Sequence, residues 1–114
     1  MSEERELFLV NTIVGQIMAI DKWALPSYAA QNFEVLNSND DYQGGLKFDC
    51  NGYKVKGHTT IQLSWDDTYT IDFYDKEGSL MKQSKGVYFD QLVEVLDYIE
   101  EQDRNVLEAQ ISLN

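Results

Sequence analysis

This chain has little of what would announce a chemistry. Its 114 residues contain one cysteine, Cys50, one histidine, His58, and one proline, Pro26. A lone cysteine excludes an internal disulfide and fits a reducing compartment. A lone histidine excludes a His-based metal cluster. One proline among only seven glycines argues against a low-complexity or disordered chain. No apolar run approaches the ~18 residues of a membrane span, and the acidic start, MSEEREL, does not read as a signal peptide. A cytoplasmic protein is therefore expected, with no membrane partner. No repeat, phosphate-cradling glycine loop or zinc spacing is present. Basic residues are scarce as well. Nine Lys+Arg stand against 20 Asp+Glu, a net charge of −11. That excess opposes direct nucleic-acid binding and docking on anionic lipid, both of which need a cationic footprint. It leaves two readings, a solubilising surface or a surface for a basic partner, such as a protein that itself grips nucleic acid.

What is present is a single α+β domain over residues 1–114. Leu7, Val10, Ile13, Val14, Ile17, Met18 and Ile20 fall on one helical stripe, so the spacing predicts a helix over 3–21, with Ser2 as its N-cap. The opposite face, Asn11, Thr12, Gly15, Gln16 and Ala19, is small and uncharged. Gly15 in mid-helix costs roughly 1 kcal/mol against alanine, which implies close packing there, by other parts of this chain or by a second copy. Pro26 should end any regular pattern, leaving Trp23 and Tyr28 to anchor a crossing segment. An antiparallel sheet is expected over 33–85, starting with a short strand at 33–37. Asn51-Gly52 suits a tight type I′ turn pairing Cys50 with Tyr53 and Asp49 with Lys54. In GHTTIQLSWDDTYTIDFYD, residues 57–75, Ile61, Leu63 and Trp65 alternate, as do Tyr69, Ile71 and Phe73. A loop of Asp66-Asp67-Thr68 would set Trp65 opposite Tyr69, with Thr70 and Asp72 on a polar, wet face. A last strand covers 80–85. A second helix follows over 88–104, its buried stripe formed by Tyr88, Leu92, Val95, Leu96 and Ile99, and a helical tail is expected over 106–113. The whole reads as an N-terminal helix, an antiparallel meander of about five strands and a C-terminal helix, with the helices on one face of the sheet.

Candidate chemistry is thin. Cys50 and His58 could meet across neighbouring strands as a thiol–imidazole pair, but no orienting partner is visible in the sequence. Asp66, Asp67, Asp72, Asp75 and Glu77 crowd together without the spacing of a calcium loop. No catalytic residue, metal ligand or cofactor follows, and a non-enzymatic protein is expected. The second helix is more informative. Asp90, Glu94, Asp97 and Glu101 share its outer side, and residues 90–114 hold seven acids and one base, Arg104. Like charges at this spacing destabilise a helix by ~0.2–0.5 kcal/mol per pair, and Glu100, Glu101 and Asp103 sit where the helix dipole prefers cations. Folding does not require such a ridge. Its acids rise ~6 Å per step against a phosphate every ~3.4 Å along a DNA strand. A DNA mimic would therefore need Asp66 and Asp67 to join Asp90, Glu94, Asp97, Glu100 and Glu101.

Several pieces in order resemble a family of small α+β domains of uncharacterised function encoded by phages and mobile elements. They are Thr12-Ile13 with Gln16-Ile17, Lys22-Trp23, Asn32-Phe33, Ile61-Gln62-Leu63, Asp67-Thr68-Tyr69-Thr70-Ile71 with Phe73-Tyr74, and Gly86-Val87-Tyr88-Phe89-Asp90-Gln91-Leu92. The chain departs from that pattern at 24–29, where Pro26-Ser27 replaces a Thr-Gly pair, and in its acidic N-terminus and C-terminal extension. The resemblance implies a mobile-element context and supplies no catalytic residues. Small acidic proteins of that origin resemble inhibitors of host nucleic-acid machinery, of anti-restriction or anti-CRISPR type. The alternative is a structural or regulatory interaction module, including a homodimer.

Overall fold

Val10, Ile13 and Ile17 recur at helical spacing and are all buried, which seats the first helix, α1 (Ser2–Ile20), on the sheet. The computed structural model describes residues 2–101, so the tail expected at 106–113, with Asp103 and Arg104, lies outside the described residues. A one-turn helix, α2 (Ala24–Ser27), follows, and then strands β1 (Gln31–Leu36), β2 (Tyr42–Asp49), β3 (His58–Ser64), β4 (Tyr69–Tyr74) and β5 (Leu80–Val87). The strands pair antiparallel in sequence order, as a meander. A 3₁₀ turn (Phe89–Gln91), a short α3 (Leu92–Leu96) and a second 3₁₀ turn (Asp97–Glu100) complete the described chain. The helices share one face of the sheet, so the α+β arrangement expected from the sequence is the one observed. No helix among the described residues is long and apolar enough to cross a membrane.

The inner face carries Leu46, Phe48, Ile61, Ile71 and Phe73, all fully buried against Ile13, Ile17, Tyr28, Leu92, Leu96 and Ile99 from the helices. Burial on this scale, ~1.5–3 kcal/mol for each large apolar side chain, is what holds the layers together. Alternation predicts these faces correctly, but the pairing differs. Leu63 stands opposite Tyr69 and Ile61 opposite Ile71, two residues from the expected register. A shift by two preserves which side chains face inward. The loop is Trp65-Asp66-Asp67, closed by the Ser64 N–H donating to the Thr68 carbonyl, with Asp67 in the left-handed conformation at φ 68°. Three-residue hairpins favour this form, a turn followed by one left-handed residue. Trp65 is thereby moved out of the strand and is exposed.

Other expectations need correction. Asn51-Gly52 makes no tight hairpin, because β2 pairs with β3 through Asp49 and His58, leaving residues 50–57 as a loop. That loop serves the C-terminal segment. The Lys54 N–H donates to the Ile99 carbonyl at 2.9 Å, Val55 is fully buried, and Gly52 lies so close that a Cβ there would sit 2.3 Å from the Ile99 oxygen. Long-range packing of Val55 and Ile99 outweighs the local turn preference of Asn-Gly. The second helix spans 89–100 with 3₁₀ ends, so a single 3.6-residue wheel does not describe it. Tyr88 is extended at its start and exposed, rather than on the buried stripe. Pro26 sits within α2, where a first-turn residue needs no N–H partner. Tyr28 is fully buried as expected, whereas Trp23 is exposed. The face of β4 expected to be wet is not open. Thr70 and Asp72 are buried, Asp72 lying between its cross-strand partners Thr60 and Gln83. Among the described residues nothing packs within 4 Å of a Cβ built on Gly15, so none of them covers α1 at that point.

Candidate functional site

α1 leans over β2 at its N-terminal end. Buried Glu6 accepts the Ser38 N–H there, and Leu9 Cδ2 lies 3.3 Å from where a Cβ on Gly44 would be. α3 packs on the same face, toward the edge strand β5. Beside the β3–β4 turn a groove of about 780 Å³ opens between α1, the neighbouring strands and Phe89. Leu9, Leu63 and Tyr69 lie within it, and Phe8 and Phe89 flank it, 74% and 59% exposed. The Tyr69 hydroxyl donates to Gln16 Oε1 at 2.7 Å, and burial raises its pKa above the ordinary tyrosine value. Gln43 Nε2 donates to both the Ser64 carbonyl and Asp67 Oδ1, bracing the turn that closes this end. Sequence reasoning missed the groove. The available signal was the pair Phe8-Leu9 lying off the Val10–Ile13–Ile17 stripe, together with a second exposed aromatic, Phe89, after the last strand.

The structure spreads the acids of the expected ridge over three places. Asp66 and Asp67 lie on the β3–β4 turn. Thr68 donates its hydroxyl and its N–H to Asp66 Oδ1, at 2.7 and 3.1 Å, which holds that carboxyl below the usual aspartate value. Asp90 is at this end too, next to Phe89 at the groove. Glu94 and Glu101 border a shallow depression with Lys82 and Lys85 of β5. There the Lys54 and Lys82 ammonium groups lie 4.9 and 4.7 Å from the Tyr98 ring centroid, and Lys54 pairs with Glu101 at 3.7 Å. Asp97 turns the other way and accepts the Tyr28 hydroxyl at 2.7 Å. Burial first, then that bond and the nearby charges of Asp97, Asp21 and Glu100, push the Tyr28 pKa far above its ordinary value. Asp66, Asp67, Asp97 and Glu101 thus have partners within the chain, while Asp90 and Glu94 are exposed with no hydrogen bond or ion pair among the described residues.

Cys50 and His58 do not meet as a nucleophile and base. Cys50 is buried on the inner side, its Sγ 3.5 Å from Thr59 Oγ1, and burial raises its pKa, which disfavours the reactive thiolate. His58 pairs with Asp49 on the outer face and stacks on Tyr74, with ring centroids 4.4 Å apart. Partial burial, with Lys47 nearby, lowers its pKa. Asp75 Oδ1 accepts the Glu77 and Ser79 N–H groups, so this acid caps its own turn. No group of three or more His, Cys, Asp or Glu suited to a metal ion occurs among the described residues. No family model, curated protein or solved structure matches the chain.

Proposed function

We propose that this chain is a non-enzymatic acidic protein that docks on the basic surface of a nucleic-acid-binding host defence complex and blocks it, acting in the cytoplasm for a phage or mobile element. The observation that carries this reading is the state of the acids. The whole chain has 20 acids against nine bases, yet among the described residues only two ion pairs form, Lys47–Glu34 at 3.4 Å and Lys54–Glu101 at 3.7 Å. Exposed pairs of that kind contribute ~0–1 kcal/mol. Several other acids accept hydrogen bonds within the fold, Glu6, Asp66, Asp67, Asp75 and Asp97 among them, but none of these bonds comes from a cation. The exposed negative charge therefore stays largely unneutralised and can steer a cationic partner, with association rates that drop steeply as salt rises. Dispersal of the acids over the β3–β4 turn, the 3₁₀ turns and α3 favours docking by several patches over phosphate-by-phosphate imitation of a DNA strand. The resemblance to mobile-element domains supports the choice of partner class.

The test is capture of the partner from host lysate at low and high salt, followed by competition between this protein and duplex DNA for the captured complex. Capture at low salt, loss at high salt and displacement of DNA are expected. Capture that resists salt, or a captured complex that binds DNA undisturbed, overturns the reading.

One observation favours a second reading, an interaction module that forms a homodimer. The side of α1 around Gly15 is uncharged and, among the described residues, uncovered at Gly15, with the exposed Leu7 and Met18 beside it. It is a region where two copies of a −11 chain could approach without opposing like charges. Light scattering decides it. A dimer that Gly15→Leu converts to monomer supports this reading, and a monomer at every concentration removes it.

A further inference from the structure

We infer that the groove beside the β3–β4 turn receives a cationic amphipathic segment of the partner, an apolar stripe flanked by lysine or arginine. This rests on the proposed reading of an acidic docking protein and assigns it a site. The occupant follows from the chemistry of the walls. Phe8, Leu9, Leu63, Tyr69 and Phe89 present apolar surface in a volume of about 780 Å³, within the ~300–1,000 Å³ range of binding pockets. A soluble chain this rich in charge gains nothing from two phenylalanines 74% and 59% exposed across one groove unless something covers them. The charge around the groove selects what does. Glu4 and Asp67 line it, Asp66 is exposed on the same turn, and Asp90 follows Phe89. Arg5 is the single cation among the lining residues. An apolar stripe with basic flanks therefore satisfies both walls and edges, in the way amphipathic helices seat their apolar anchors in grooves. An acidic or neutral amphipathic segment would meet like charge or leave the acids unmatched. A second copy of this chain is disfavoured here for the same reason, because it would bring its own negative excess to the same edges.

The probe is a fluorescein-labelled helical peptide with leucine along one face and lysine on the other, titrated into the purified full chain and followed by anisotropy. Controls are the same composition scrambled to destroy the stripe and the same stripe with glutamate in place of lysine. The stripe-bearing lysine peptide should bind at least about tenfold more tightly than either control. Phe8→Ser and Phe89→Ser should each weaken it by about tenfold or more. Both side chains are exposed, so circular dichroism should report an unchanged fold. Glu4→Gln with Asp66→Asn should weaken binding, and Arg5→Gln should tighten it. The scrambled peptide binding as well as the striped one, or the Phe8→Ser/Phe89→Ser double variant binding at wild-type affinity, overturns the inference. Failure here is separable from failure of the proposed function. If the double variant still captures the lysate partner in a salt-sensitive manner, the docking reading stands and the groove assignment falls.

Discussion

At the scale of single residues, the clearest link between chemistry and stability is the bond from the Tyr28 hydroxyl to Asp97. Tyr28 is fully buried, so its hydroxyl needs an acceptor, and the carboxylate supplies one across 69 residues of sequence. Tyr28→Phe removes donor and demand together, and exposed Asp97 can turn to water. The loss should therefore be about 1 kcal/mol, that of an ordinary hydrogen bond and below the ~1.5–3 kcal/mol of one to a charged group, measured by urea unfolding at neutral pH. The pH dependence has a definite sign. The folded-state pKa of Tyr28 lies above its ordinary value of 10.0, so folding favours the protonated phenol. That stability is fully present below pH ~10 and is lost as pH rises beyond it, because the unfolded chain gives up its proton first. Tyr69 and Cys50, also raised, act in the same direction. Unfolding free energy should fall between pH ~8 and ~11, and by less in Tyr28→Phe. An equal fall in both proteins would remove Tyr28 from the account. None of this was legible in the sequence. Asp97 reads there as one acid in a row, and only the contact between two distant segments makes it an acceptor.

Elements were legible where their evidence is local and illegible where a distant contact decides. Period-two alternation predicts which residues of β3 and β4 face the core, and period 3.6 predicts Val10, Ile13 and Ile17 under α1. The register of the β3–β4 hairpin could not be read, because either placement of a three-residue loop keeps the same parity and only turn geometry at Asp67 separates them. Asn51-Gly52 misled for the converse reason. Its local preference is strong, but residues 50–57 answer to Ile99. The two glycines differ accordingly. Gly52→Ala would force a Cβ to within 2.3 Å of the Ile99 oxygen and should destabilise by about 2 kcal/mol or more. Gly15→Ala meets nothing within 4 Å and should stabilise by about 0.5–1 kcal/mol through the helix alone. Thermal unfolding of the two variants measures both signs. A destabilising Gly15→Ala in dilute, monomeric protein would mean that an unrecognised contact covers this part of α1. The groove belongs to the same scale. Residues of α1, three strands and the segment after β5 meet to line it, a juxtaposition that no sequence pattern encodes.

For the whole molecule, one quantity, the −11 net charge, has two consequences of opposite sign in salt. Within the folded chain the exposed acids repel one another. At water-like dielectric a like-charged pair ~10 Å apart costs about 0.4 kcal/mol, and at 0.1 M salt the screening length is also ~10 Å. Several such pairs sum to an order of 1 kcal/mol that added salt removes. Stability should therefore rise between ~0.02 and ~0.5 M sodium chloride, in contrast to the attraction for a cationic partner, which the same salt weakens. Neutralising Asp90, Glu94 and Glu100 to their amides tests both at once. None of the three has an ion pair among the described residues, and Asp97 and Glu101, which do make contacts within the chain, are left intact. The triple variant should unfold at a slightly higher temperature at low salt and show a shallower rise with salt. Its association with a cationic partner should be weaker and less salt-sensitive. If the variant gains stability while partner binding is unchanged, those acids are a solubilising coat, and docking must rest on the remaining acids at the groove, Glu4, Asp66 and Asp67. If it loses stability, the three carboxylates hold something in the native fold, and their negative charge is structural rather than free for a partner.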